Sequence, residues 1–191
     1  MKISAYSGID SDAQGHAETI QNQIRRADSP NLRGWIVDLR GNTGGNMWPM
    51  LAGVEPILGE GILGYFIDPE GNTSPWNKNT IFYPKVTFPY TLYKPNPKVA
   101  VLTDRVTASS GEAVAIAFRG RPNTRSFGKP TCGLSTANRG FSLTNGTVLF
   151  LTVSTMADRT GTEYGKSVEP DVLEANQQLC LEKALAWLRE P

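Results

Sequence analysis

This sequence has very few of the residues that hold transition metals. It contains one histidine, His16, and two cysteines, Cys132 and Cys180, which form no C-x-x-C pair. A structural zinc site takes about four Cys or His ligands, so that class is set aside. Both cysteines read as small, partly buried hydrophobes. An excess of charge of either sign is missing as well: 19 Lys and Arg stand against 18 Asp and Glu, for a net charge of +1. A broad nucleic-acid or anionic-membrane surface needs a basic excess, so nucleic acid is not an expected partner. Long apolar runs are absent too. Gly, Pro or a charge interrupts each one well short of the ~20 residues of a transmembrane span. The opening residues, Met1 to Gly8, contain no apolar run of leader length, so the chain as given would stay where it is made, or else be a mature form or a cut fragment, and the localisation stays open.

What is present is enough for a folded core. The 191 residues are 39% hydrophobic and only 19% charged, which suits one domain over 1–191 rather than a disordered chain. Ala13, Ala17, Ile20, Ile24 and Ala27 recur at helical spacing and predict a helix over 11–28, with His16 on its outer surface. The run 34–39 reads as a buried strand, 47–58 as a helix ended by Gly59, and 62–67 as a strand. Residues 68–97 hold six of the 13 prolines together with Trp76, Phe82, Tyr83, Phe88, Tyr90 and Tyr93. That proline density forbids a long helix or a central strand, so the segment is an irregular excursion: a self-packed loop, or one wall of a substrate groove. A strand at 98–103, a helix at 109–119 and a strand at 124–128 follow. Residues 140–155 form a hairpin about Asn145-Gly146, and 177–189 an amphipathic helix with Leu181, Ala184, Leu185 and Leu188 together. The alternation predicts an α/β fold.

The run Gly59-x-Gly61-x-x-Gly64 matches a dinucleotide-loop pattern but follows a helix and precedes a strand, the reverse of what a pyrophosphate site needs, and is rejected. Two other turns carry more chemistry: Asp38 to Gly45 and Thr107 to Glu112. Each follows a buried strand and opens a helix. A serine there is presented at the sheet edge beside a helix N-terminus, which favours negative charge, and the N–H after it can face a developing oxyanion. A glycine-rich turn on the neighbouring strand can supply a second N–H. On this chemistry Ser109 or Ser110 could attack a carbonyl while Gly44 or Gly45 stabilises the tetrahedral intermediate. The competing reading is a plain Ser/Thr helix cap.

The combination resembles the catalytic domain of the S41 serine peptidases, of carboxyl-terminal-processing, tricorn-core and nisin-resistance type. The matching stretches are Ile36 to Gly45, Val101 to Asp104, Thr107 to Glu112, Ser126 to Gly133, the Asn145-Gly146 hairpin and Val168 to Asp171, in family order. Thr107-Ala-Ser-Ser with the later Phe-Gly-x-Pro-Thr-x-Gly is most similar to the nisin-resistance branch, which brings lantibiotic-type peptides into view as substrates. The resemblance implies a ClpP/crotonase-like core, a mixed β-sheet flanked by helices. It implies Ser109 as nucleophile and an oxyanion hole from the Ser110 N–H and the Gly45 or Gly44 N–H. Asp38 and Arg40 would tie the turn from below, and Asn42 would shape it. Substrates would be peptides or protein tails bound in extended form, without a cofactor.

The general base departs from the family pattern. The processing branch places a lysine where this chain has Leu134. The other branches use an earlier histidine, and the only histidine here is His16, inside the first predicted helix. Three readings follow: a histidine upstream of Met1, substitution by Lys2 or Lys129, or a domain that binds peptide without cleaving it. The first is preferred, because the chain starts abruptly in what reads as a strand. Glu163 is a weak candidate for the acid that orients a histidine, Glu169 a weaker one, and a solvated charge is the simpler account of both. An acyl-CoA enzyme of crotonase type is a third functional class, but a serine-led helix start has no role in that chemistry.

Overall fold

A computed structural model of the chain describes residues 1–8, 11–80 and 82–190. In chain order its elements are α1 (Ser11–Ala27), β1 (Gly34–Asp38), α2 (Met47–Leu58), β2 (Gly64–Ile67), β3 (Thr73–Trp76), β4 (Lys98–Thr103), α3 (Ser110–Ala117), β5 (Thr124–Gly128), β6 (Thr136–Ser142), β7 (Val148–Asp158), β8 (Val172–Leu173) and α4 (Gln177–Arg189). The parallel and antiparallel strands separate into two sheets. One is parallel, in the order β1-β4-β5-β8; the other is antiparallel, in the order β3-β2-β7-β6.

The parallel sheet is covered on both faces, and β4 shows why. Val99, Ala100, Val101 and Leu102 are all fully buried, the continuous apolar run of a central parallel strand rather than an alternation. Val99 and Val101 join the larger core, with Ile20 and Ile24 of α1, Met50, Leu51, Val54 and Ile57 of α2, and Val114 and Ile116 of α3. Ala100 and Leu102 face the other way, onto Phe127 and the helix α4. The buried seam of α4 is Cys180, Ala184 and Leu188, while Leu181 and Leu185 are only half-buried. Cys180 therefore packs as a core residue, whereas Cys132 is exposed, contrary to its expected partial burial.

The excursion at 68–97 contributes one edge strand, β3, whose Trp76 is fully buried against Phe66. Most of the remainder lies over α1. Its prolines supply no N–H, and several of the N–H groups left find side-chain acceptors on that helix or on the residue that follows it. Thr87 N–H donates to Glu18 Oε1 at 3.0 Å, Tyr90 N–H to Gln21 Oε1 at 2.9 Å and Tyr93 N–H to Asp28 Oδ2 at 2.9 Å. Arg25 returns a bond to the Phe88 carbonyl. The β6–β7 hairpin is longer than the sequence indicates, because β7 continues to Asp158 and pairs with β2 as well.

Candidate active site

The two turns singled out in the sequence meet at the carboxyl ends of β1 and β4, which are paired in parallel. Polar bonds lock them together. Asp104 Oδ1 accepts from the Gly41, Val106 and Thr107 N–H groups. Thr107 is fully buried, and its hydroxyl donates to the Leu39 carbonyl at 2.9 Å. Ala108 N–H donates to the Asn42 carbonyl at 2.9 Å. The Ser110 hydroxyl donates to the Gly45 carbonyl at 2.5 Å.

Asn42 is the junction of these contacts. Its side chain is fully buried; Nδ2 donates to the Ile3 carbonyl and toward Met50 Sδ, and Oδ1 accepts the Gly44 N–H at 2.9 Å. One side chain thus joins the amino-terminal segment, the glycine turn and α2. Gly44 has φ +100°, and a Cβ there would stand 2.8 Å from the Ala108 carbonyl and 2.9 Å from Ser109 Cβ, so only glycine lets the turn come this close. Gly45, at φ +110°, faces the backbone of Tyr6 just as tightly. Tyr6 N–H donates to the Gly44 carbonyl and the Asn46 N–H to the Tyr6 carbonyl, extending the pairing of residues 1–6 alongside β1.

Ser109 caps α3 at φ +52° and ψ −117°, a conformation that side-chain-bearing residues rarely adopt and that costs about 1–3 kcal/mol. Strain of this kind presents a side chain at a sharp strand-to-helix turn. The Gly44 N–H is engaged by Asn42, whereas the Gly45 and Ser110 N–H groups have no acceptor among the described residues.

A residue that the sequence reading did not single out organises the other wall. Glu112 is fully buried on the first turn of α3, and its carboxylate accepts four bonds. Ser109 N–H (2.7 Å) and Leu134 N–H (2.8 Å) reach Oε2; the Thr131 hydroxyl (2.5 Å) and Gly133 N–H (2.9 Å) reach Oε1. It holds the Ser109 turn and the 131–134 loop as one unit. The Ser109-x-x-Glu112 spacing of a capping box was the available signal.

The candidate bases lie elsewhere. His16 is half-buried rather than on the surface. Its ring stacks on Tyr6 with centroids 4.0 Å apart, and burial holds its pKa below the usual value. Lys2 is exposed beside Asp38, and Lys129 lines a small cavity of about 190 Å³ with Arg40 and Arg105. Leu134 is exposed. Glu163 is exposed opposite Ala157 and accepts from the Thr155 hydroxyl; Glu169 accepts from Ser167. None of these side chains is hydrogen-bonded to Ser109. Asp38 and Arg40 form a bidentate pair at 2.7–2.8 Å, and Arg40 also reaches the Gln177 carbonyl, which ties β1 to α4. The 68–97 excursion borders a separate cavity of about 820 Å³, with Glu55 and Glu60 at the end of α2, and Ser109 is not among its lining residues. Among the described residues no His, Cys, Asp and Glu cluster is arranged to hold a metal ion.

Comparison with known proteins points the same way. The model of peptidase family S41 matches residues 2–173. The nisin-resistance protein of Lactococcus lactis subsp. lactis is 31% identical over 196 residues, a span of 99% of this chain and 59% of that protein. Carboxyl-terminal-processing peptidase 2, chloroplastic, of Arabidopsis thaliana is 24% identical over 159 residues, 83% of this chain and 29% of that protein. A lipoprotein from Streptococcus agalactiae superposes with a TM-score of 0.84 at 31% identity, covering 98% of this chain and 64% of that one. A photosystem II D1 C-terminal processing protease shares the fold, with a TM-score of 0.66 at 20% identity over 91% of this chain and 41% of that one. The chain thus spans less than two thirds of the length of these relatives.

Proposed function

The chain belongs to peptidase family S41, and on that footing we propose that it hydrolyses peptide bonds with Ser109 as the nucleophile. The Ser109 oxygen attacks the scissile carbonyl carbon while a general base takes its proton. The oxyanion of the tetrahedral intermediate accepts the Gly45 and Ser110 N–H groups, and the α3 N-terminus favours the same negative charge. Collapse returns the proton to the leaving amine, and water then cleaves the acyl-enzyme to release the carboxylic acid. Glu112 acts as a positioning residue by holding the Ser109 N–H. Peptides or protein tails are the substrate class, as the family and the names of the relatives indicate.

One observation carries this reading: a strained serine at a helix start, beside two N–H groups without acceptors among the described residues, in a turn that Asn42 holds from below. A second reading, a peptide-binding domain without chemistry, is favoured by the lack of any His, Lys, Asp or Glu side chain positioned to take a proton from the Ser109 hydroxyl among the described residues; Glu112 meets only the Ser109 N–H. A fluorophosphonate probe separates the two. Labelling of the parent chain that disappears in Ser109→Ala supports the peptidase. A folded parent that binds peptide and takes no label supports the binding domain and removes the nucleophile assignment.

A further inference from the structure

Tyr6 pairs through its backbone with the glycine turn. Its N–H donates to the Gly44 carbonyl at 3.1 Å, and its carbonyl accepts the Asn46 N–H at 2.5 Å. In this parallel bridge the two bonds bracket Gly45, so the N–H and carbonyl of Gly45 itself point away from Tyr6. That carbonyl takes the Ser110 hydroxyl. Gly45, at φ +110°, leaves no room for a Cβ against the Tyr6 backbone. The direction of the Gly45 N–H therefore depends on where Tyr6 stands.

The side chain of Tyr6 meets α1. Its ring lies on that of His16, with centroids 4.0 Å apart and planes 18° from parallel. Gly8 closes over the phenol end, where a Cβ would collide with Tyr6 Oη, and Asn46 Nδ2 donates to the Gly8 carbonyl at 3.2 Å. Tyr6 Oη and His16 Nε2 are both buried, and neither has a hydrogen-bond partner. In an imidazolium both ring nitrogens are donors, so protonation makes Nε2 a charged N–H that meets neither water nor an acceptor. Burial accordingly holds His16 below its ordinary 6.5. Charged groups on the surrounding elements do not compensate. Lys2 stands beside Asp38, Glu18 is bonded to Gln14 and Thr87, and Glu55 meets Tyr83 far along α2. Asp12, exposed one turn before His16, acts on Tyr6, and none of the ion pairs among the described residues includes His16.

We propose that the Tyr6–His16 stack is an acid-sensitive brace on the glycine turn. With His16 neutral, its ring holds Tyr6 against Gly45, and the Gly45 N–H keeps its direction. Protonated His16 turns out into water, Tyr6 loses its cover, and the two bonds that bracket Gly45 open. A histidine whose folded pKa lies below the unfolded value contributes stability above 6.5 that is lost as pH falls through the folded midpoint. The brace is therefore closed at neutral pH and released in acid. Tyr6 and His16 are positioning residues, acting through Gly45. That the release weakens an oxyanion site rests on the Ser109 reading; the coupling of His16 to the turn does not.

Hydrogen exchange of the Tyr6 and Asn46 amides, followed by NMR from about pH 8 to about pH 5 and corrected for the intrinsic effect of pH, tests this. The His16 ring midpoint is read from the same samples. Protection of both amides falls through that midpoint, about tenfold for each pH unit by which it lies below 6.5. Amides of the β6–β7 hairpin, remote from His16 in the chain, do not follow it. His16→Phe keeps a ring on Tyr6 and abolishes the fall, whereas Asp12→Asn leaves it in place. Protection of Tyr6 and Asn46 that holds steady through the His16 midpoint overturns the proposal, and this result needs the parent chain alone. A fall that persists in a folded His16→Phe, or vanishes in Asp12→Asn, overturns it as well.

Discussion

Replacing Glu112 by glutamine is nearly isosteric, and the structure says what it does. Oε2 accepts two backbone N–H groups, from Ser109 and Leu134. An amide nitrogen placed there would face two donors, so the glutamine turns the other way. Its nitrogen then meets the Thr131 hydroxyl and the Gly133 N–H. Thr131 can rotate to accept, although it already accepts the Val168 N–H. The Gly133 N–H has no such option and loses its partner. One or two buried donors are left unsatisfied at about 1–3 kcal/mol each, so Glu112→Gln destabilises the chain by about 2–4 kcal/mol. In urea this lowers the unfolding midpoint by about 1–2 M at an unchanged slope. Under native conditions the variant also labels more slowly with a fluorophosphonate, because Ser109 is less firmly held. A stability within about 0.5 kcal/mol of the parent, together with full labelling, would refute the view that Glu112 unites the Ser109 turn and the 131–134 loop.

Gly44→Ala combines a positive φ with contacts under 3 Å to the Ala108 and Ser109–Ser110 backbone region, and destabilises by about 2–4 kcal/mol in urea. Gly41→Ala, at φ +78° with open space around it, loses only about 1 kcal/mol, and equal losses would contradict the close approach. Ser109→Gly relieves the strained φ of +52° that Ser109→Ala retains, so the glycine variant is the more stable of the two by about 1 kcal/mol while neither takes label. His16 gives the only imidazole signal in an NMR titration. Burial beside Tyr6 holds it below the ordinary 6.5, so its midpoint falls below that value. A depressed histidine pKa contributes stability that is present above the unfolded value of 6.5 and lost as pH falls through the folded one, and a midpoint at or above 6.5 would count against the buried stack.

Local pattern was enough to read much of this fold. The bounds of α2, β4, β5 and α4 follow from apolar spacing and from the glycines and prolines that flank them. The two turns bearing Gly45 and Ser109 were legible because each joins a buried strand to a helix, and parallel pairing of those strands brings the turns together. Partners far apart in sequence were not legible. Glu112 meets Thr131, Gly133 and Leu134 only after β5 has been laid beside β4. His16 reads as a surface position on a helical wheel, yet the amino-terminal segment brings Tyr6 over it. The buried seam of α4 shifted to Cys180, because the face that meets Phe127 runs at intervals of four. The division into two sheets depends on β7 pairing with both β6 and β2, a choice that alternation within one strand does not encode.

The strain at Ser109 persists only if the surroundings over-determine it, and the means here are polar rather than apolar. Ala108 N–H is held by the Asn42 carbonyl, Ser109 N–H by Glu112, and the Ser109 carbonyl by the Ala113 N–H. The Ser110 hydroxyl then fixes the facing glycine turn. Each of these bonds has a direction, so together they fix orientation as well as position, which apolar packing alone does loosely. Asn42 occupies the one place where an amide is required. Its oxygen must accept from Gly44 while its nitrogen donates to Ile3, and an aspartate could do only the first. The same logic explains why the 820 Å³ cavity under the excursion can vary independently of the site. Hydrogen bonds to Glu18, Gln21 and Asp28 tie that segment to α1 and the residue after it, and none of the bonds described as fixing Ser109 passes through it.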